Sequence, residues 1–493
     1  MDNRLFKKIF DSFRQMFVGT SFQVVFTIIA GYLFALILGP SKYGIWQTAR
    51  VFIGYGSFIN LGIPYIVQRD FPAFRKEGRL QEASNIANQV FSLTIISFPL
   101  FALVFILYSI FANHTPDFTK SLYVVGLYFI LSIPAGIGTV MNKSVNDYST
   151  VGKAGTILGL GTLLIVPFVY FKGFDALLIG FLVVTLAVSI WYYLNRPIEY
   201  KWFWNTRLLK KMVSSSFPLF LVHVSTSVFA SVDRLIIAAF LGFKEVGFYS
   251  LSSFIATPIS VMMRSLSVVM FTQINEFYGK SKTEVVIKNQ VLLPQGFFSV
   301  LLPPIIGFII IALPILIHYF LPQYKDGIFA AQINIFSTFF FLLASFSSNA
   351  LFILDKQVYS AISFIIAGVI KSLGSYMMVK TGMGIEGVAI VSVISYFIYD
   401  TIMFYFVCKF VGFSIEKFLR LSLDKLFPPL LILAYFIVYT SYNEVIYNLI
   451  DVKNEIVKFI VAELLLLVIS FPFFIKIRSY IIKVRNHQRI SNQ

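Results

Sequence analysis

Leu38-Gly39-Pro40-Ser41-Lys42-Tyr43-Gly44-Ile45-Trp46 closes one long apolar stretch and opens the next. The chain repeats the arrangement at Leu241-Gly242-Phe243-Lys244-Glu245-Val246-Gly247-Phe248-Tyr249. Both segments put Leu-Gly, a lysine, a second glycine and then an aromatic side chain into a short connection, and they lie 203 residues apart. Glycine supplies the positive φ that a tight reversal asks of the backbone. A match at such an offset marks a duplicated architecture. The second segment comes six apolar stretches after the first, so both halves enter a membrane in the same sense. They are then related by an axis along the membrane normal, a transporter architecture with a substrate path between the halves.

The surrounding composition agrees. Hydrophobic residues fill 58% of 493 positions and charged residues only 13%. A globular core cannot hide so much apolar surface, whereas a bilayer can. Aromatic residues are 17% of the chain, with 56 phenylalanines suited to lipid contact and interhelical packing. About twenty apolar residues cross the hydrocarbon core as a helix. Stretches of that kind run 17–38, 45–67, 87–111, 122–140, 154–171 and 176–194. After a polar, basic connector, 196–211, they resume at 212–241, 246–274, 291–321, 328–354, 358–379 and 388–410. Two more, 426–442 and 456–477, complete about fourteen spans.

Lysine and arginine set the orientation. Of 40 basic residues, 28 fall in the amino-terminal segment, the even-numbered connections and the carboxyl-terminal tail, counting Lys409 and Lys476 at the adjoining span ends, against seven in the odd-numbered connections. Both termini are therefore expected in the cytoplasm. The net charge of +17 expresses this topology and implies no nucleic-acid partner. The single cysteine, Cys408, excludes an internal disulfide framework, and four scattered histidines offer no metal-ligand spacing. No cofactor and no metal are implied.

The chain at this point resembles a known family. Two six-helix halves, the Leu-Gly-x4-Gly turn after spans one and seven, and two closing helices resemble the multidrug/oligosaccharidyl-lipid/polysaccharide (MOP) exporter superfamily. Within it the nearest likeness is to polysaccharide flippases of the O-antigen translocase (Wzx) type. Ser231-Val232-Asp233-Arg234 and Glu245-Val246-Gly247-Phe248-Tyr249-Ser250 are similar to that family's seventh-helix signature. The resemblance implies an all-α integral membrane fold, MATE-like, with a six-helix lobe at 1–195, a connector at 196–211, a second lobe at 212–410 and two added helices within 411–493. It also implies translocation of a polyprenyl-diphosphate-linked oligosaccharide by alternating access, in surface polysaccharide synthesis at the cell membrane. Partners would be the lipid-linked oligosaccharide, membrane lipids and polysaccharide polymerase or chain-length proteins.

Apart from Lys409 and Lys476 at the cytoplasmic span ends, five basic residues fall inside the spans: Arg50, Arg234, Arg264, Lys371 and Lys458. Lys458 is near enough to a helix end to snorkel. The acids are Asp233, Asp400 and Glu463. Each such charge costs roughly 2.5–3.5 kcal/mol at mid-membrane, so each should face a wet cavity or a partner. Arginine suits phosphate because its planar fork donates two parallel hydrogen bonds and stays charged. Arg50, Arg234, Arg264 and Lys371 are therefore expected to bind an anionic headgroup. In the related lipid II flippases, arginines of helices two and eight line such a cavity, and Arg50 and Arg264 occupy those helices here. The first-helix arginine of those flippases has no counterpart. The offset of 203 carries Arg50 to Ser253 and Arg264 back to Leu61, so these charges are additions to the duplicated scaffold. Asp233, Asp400 and Glu463 are expected in charge pairs or in proton or sodium coupling.

Ser225, Thr226, Ser227 and Ser231 could meet sugars, though such residues more often join helices. Trp202, Phe203 and Trp204, with Arg207, Lys210 and Lys211, read as an interfacial segment on anionic lipid. Two competing functions are weaker. A cation-coupled multidrug exporter of the same superfamily would carry a buried acid in its first six spans, and this chain has none. A membrane glycosyltransferase or polymerase would carry a sizeable outer loop, whereas the outer connections here are short.

Overall fold

In the computed structural model, helix α1 (Asn3–Tyr55) runs through both of the first two apolar stretches, broken at one residue, Gly39, with φ 71° and ψ 171°. The structure describes residues 3–111, 115–254, 256–258, 291–449 and 460–472, and among them every regular element is helical. Ten helices are long and apolar enough to span a membrane, or eleven with one bent pair taken as a span. The chain divides into two units, Met1–Ser250 and Leu251–Gln493.

In the first unit the duplicated turns share a geometry. Gly242, between α8 (Thr206–Phe240) and α9 (Phe243–Tyr249), has φ 97° and ψ 173°. The turns also touch. A Cβ on Gly44 would strike the carbonyl oxygen of Phe243, and one on Gly247 would strike that of Pro40. Pro40 and Gly44 map by the 203-residue offset onto Phe243 and Gly247, so the contact is reciprocal.

The remaining helices of this unit are α2 (Ile63–Lys76), α3 (Leu80–Phe111), α4 (Pro116–Leu131), α5 (Ile133–Ser144), α6 (Tyr148–Lys172) and α7 (Phe174–Leu194). Two expected spans are discontinuous. The second, 45–67, stops at Tyr55, passes through a 3-10 turn at Gly56–Phe58 and positive φ at Leu61 and Gly62, and restarts as α2. The fourth, 122–140, bends by 46° between α4 and α5. Each restart has a proline in its first turn, Pro64 or Pro134, which has no N–H to return to the preceding turn.

A carbonyl released in hydrocarbon needs another donor. Ser216 Oγ donates to Leu61 O at 2.8 Å, Ser57 Oγ to Gly54 O at 2.9 Å and Ser189 Oγ to Leu131 O at 2.6 Å. Below the break, Ile63, Val67 and Phe71 of α2, Ala87 and Val90 of α3, and Met141 of α5 form a tight apolar core.

The connector is tied to α3. Its backbone N–H groups at Lys201, Phe203 and Asn205 donate to Asn88 Oδ1 (2.9 Å), Ser92 Oγ (2.9 Å) and Gln89 Oε1 (2.8 Å) of α3. Tyr200 stacks on Phe91 at 5.3 Å. Burial of its hydroxyl, which has no hydrogen-bond partner, pushes the Tyr200 pKa up to about 12. Trp202 and Trp204 stay exposed.

The second unit contains α10 (Leu293–Phe320), α11 (Ile328–Ile353), α12 (Gln357–Lys380), α13 (Gly384–Val411), α14 (Ile415–Leu449) and α15 (Ile460–Pro472). Here α13 packs on α11 and α12, and α10 on α11 and α14. Buried amides join neighbouring helices: Gln295 Nε2 donates to Ser347 Oγ at 2.8 Å, and Gln332 Nε2 to Ile310 O at 2.8 Å.

Candidate functional site

The break at Gly39 sets the second half of α1 beside α8. Tyr55 of α1 and Ser231 of α8 share a hydrogen bond of 2.7 Å. Farther toward the duplicated turns, Arg50 lies five residues before Tyr55 on α1 and Arg234 three residues after Ser231 on α8, so the two arginines stand on the same side of this contact. Arg50 is exposed, and among the described residues no carboxylate pairs with it. Asp233 is buried and accepts from Tyr249 Oη at 2.8 Å and from the Arg234 backbone N–H at 2.9 Å. Two arginines of neighbouring helices thus flank this contact, and the acid beside Arg234 accepts from a tyrosine.

Nearby, the broken second span opens a cavity of about 510 Å³ in the first unit. Ser57, Asn60 and Tyr65 come from the break, Tyr128 and Phe129 from α4, Thr139 and Lys143 from α5, and His223 from α8. His223 Nε2 meets Ser57 Oγ at 2.9 Å, with its ring edge-on to Phe58. Lys143 is half-buried, and no carboxylate pairs with it among the described residues.

The charges of the second unit are placed differently. Lys371, expected to face a wet cavity, is fully buried, with Nζ 5.1 Å from the Tyr396 ring centroid. Asp400 is also fully buried, in an ion pair of 2.7 Å with Lys425, whose ammonium lies 4.4 Å from the Phe404 ring centroid. Glu463 is buried on α15, and its Oε1 has no hydrogen-bond partner among the described residues. Arg264 and Lys458 lie outside the described residues.

Ser225, Thr226 and Ser231 each donate to the carbonyl four residues back along α8, at 2.7 Å. These bonds occupy their hydroxyl protons within the helix.

Sequence reasoning missed Lys143, His223, Asn60 and Lys425. Lys143 and Lys425 sit just beyond the apolar stretches 122–140 and 426–442, but α5 and α14 carry them into packed structure. The usable signal was Gly54, Gly56, Gly62 and Pro64 inside one apolar stretch, because interrupted spans are where transporters build sites.

The fold is that of the MOP superfamily. Lipid II flippase MurJ in an inward closed conformation superposes with TM-score 0.66 at 17% identity, covering 94% of this chain and 99% of that one. An inward-facing multidrug resistance MATE family transporter gives 0.66 at 16% identity, over 80% and 98%. A MOP superfamily transporter from Pyrococcus furiosus, described as having a binding pocket of reverse polarity, gives 0.57 at 18%, over 85% and 96%. No curated protein matches the chain. Residues 33–328 match the polysaccharide biosynthesis protein family, and the chain belongs to that family, of Wzx-like kind.

Proposed function

We propose that the protein flips a polyprenyl-diphosphate-linked oligosaccharide from the inner to the outer leaflet of the cytoplasmic membrane. The observation that carries this is the placement of Arg50 and Arg234 on two touching helices of one unit, on the same side of the Tyr55–Ser231 contact, with Arg50 exposed and unpaired with any described carboxylate. Diphosphate is multiply negative, and its transfer through hydrocarbon needs fixed donors in place of water. Family membership supports a polysaccharide-pathway substrate, and the cationic site disfavours a lipophilic cation. Arg264 joins the headgroup set by its position in the eighth expected span. Lys371, fully buried on Tyr396, is read as a packing charge.

Fourteen spans with both termini cytoplasmic complete the reading. The α1 helix has the length of two spans, the bent pair supplies one, and α15 supplies the last. The eighth expected stretch, 246–274, falls largely outside the described residues. Polysaccharide polymerase and chain-length proteins are the proposed partners. With Asp400 held by Lys425, ion coupling, if the cycle uses it, falls to Glu463 or Asp233.

The test is reconstitution into liposomes with polyprenyl-diphosphate oligosaccharide, following the exposure of glycan to an added lectin. Wild type should equilibrate the glycan across the bilayer faster than empty liposomes do. Equal rates would refute the proposal.

A further inference from the structure

We infer that the connector between α7 and α8 is an interfacial strap that docks on anionic phospholipid of the cytoplasmic leaflet. The inference stands whichever lipid-linked substrate the protein carries. Three observations carry it.

The first is depth. The connector's backbone N–H groups at Lys201, Phe203 and Asn205 are held by Asn88, Ser92 and Gln89, all buried residues of α3. Those three residues open the third apolar stretch, 87–111. The apolar stretches on either side of the connector end at 194 and resume at 212. The strap is therefore fixed at the edge of the hydrocarbon, the level that tryptophan prefers.

The second is a pair of bare tryptophans. Trp202 is 61% exposed and Trp204 41%, whereas Phe203 between them lines a cleft with Ile66 and Met212. Among the described residues neither indole meets another ring, a cation or a hydrogen-bond acceptor. Two such rings on a backbone held from α3 suit the boundary between headgroups and acyl chains. There the ring body is covered and the indole N–H keeps a polar neighbour.

The third is charge. Residues 196–211 hold five basic residues, Arg196, Lys201, Arg207, Lys210 and Lys211, against one acid, Glu199. All six are exposed, and among the described residues none of the five is in an ion pair. Acids at the adjoining ends of α2 and α3 are already engaged: Arg69 holds Asp70, and Arg79 holds Glu77 and Glu82. Three of the cations also lie in the first two turns of α8, whose first turn has no acid. A helix N-terminus favours negative charge, so the strap and the helix start lack the same thing. Anionic phospholipid supplies it. A zwitterionic headgroup brings a positive charge with each phosphate and so leaves the excess uncompensated.

The test uses the full-length protein in nanodiscs of phosphatidylcholine in which about one lipid in five is phosphatidylglycerol. Bromine on the acyl chains near the glycerol of one lipid or the other quenches a tryptophan that touches it. The signal of the pair is the difference between wild type and the variant carrying Trp202→Phe and Trp204→Phe. The buried Trp46, and Trp191, which donates to Thr150 O at 3.1 Å, then cancel. Brominated phosphatidylglycerol should quench the pair as if enriched about threefold over its bulk share, and added salt should lower that enrichment. Arg196→Gln, Lys201→Gln, Arg207→Gln and Lys210→Gln combined should bring it down to the bulk share, with brominated phosphatidylcholine still quenching.

Quenching of wild type by both lipids at their bulk shares would overturn the choice of anionic lipid. No quenching by either would put the rings in water or under another protein, and the docking would fall. Enrichment that survives the quadruple variant would remove these cations from the account.

Discussion

Gly44 and Gly247 permit the closest approach between the two repeated turns, because any side chain there meets a carbonyl oxygen of the other turn. Gly44→Val should therefore cost about 1–3 kcal/mol through forced separation, read as a lower Tm of the purified protein. Gly54→Ala, in open space, should leave Tm nearly unchanged. A second residue-scale prediction concerns the buried pair Asp400–Lys425. Asp400→Asn alone should destabilise by about 3–5 kcal/mol, because it strands a buried ammonium. Asp400→Leu with Lys425→Met should recover most of that loss. Additive losses in a thermal-unfolding cycle would show that the two charges do not depend on each other. Asp400 was legible as a buried charge in need of a partner. Its partner was not, because a hydropathy window starts that span at 426 while α14 starts at Ile415.

At the scale of elements, the connector and the broken spans both depend on side chains that replace missing backbone partners. Three side chains of α3 accept the N–H groups of Lys201, Phe203 and Asn205. Replacing Asn88, Gln89 and Ser92 together with Ala should free the connector, measured as faster tryptic cleavage after Lys201. An unchanged cleavage rate would mean that packing of Tyr200 on Phe91 is sufficient. Span positions were readable because twenty apolar residues leave few alternatives. The interruptions at 56–62 and at Ser132 were not, because an average over twenty residues hides a local break. Their residues announced them only weakly: Pro64 and Pro134 start helices, while Pro218 and Pro314 lie inside continuous ones.

At the scale of the molecule, the repeated turn proved the most informative feature of the chain. The offset that relates the two segments in sequence also relates Pro40 and Gly44 to Phe243 and Gly247 in their mutual contact. The helical membrane fold was legible in this way, and the likeness to MATE and MurJ structures agrees with it. The site was legible only in part. Arg50 and Arg234 could be picked as charges too costly for lipid, but their placement on touching helices depends on the break at Gly39, and the cavity on a second break.

The account's central claim is that these arginines carry an anionic lipid headgroup across the membrane. Its most direct test is rescue of surface polysaccharide in a strain lacking its own flippase for the same glycan. Wild type should restore the polymer. Arg50→Gln, Arg234→Gln and Arg264→Gln combined, at equal membrane abundance, should restore less than a tenth of it, a loss of at least about 1.4 kcal/mol in driving the limiting step. Full rescue by the triple variant would contradict the account.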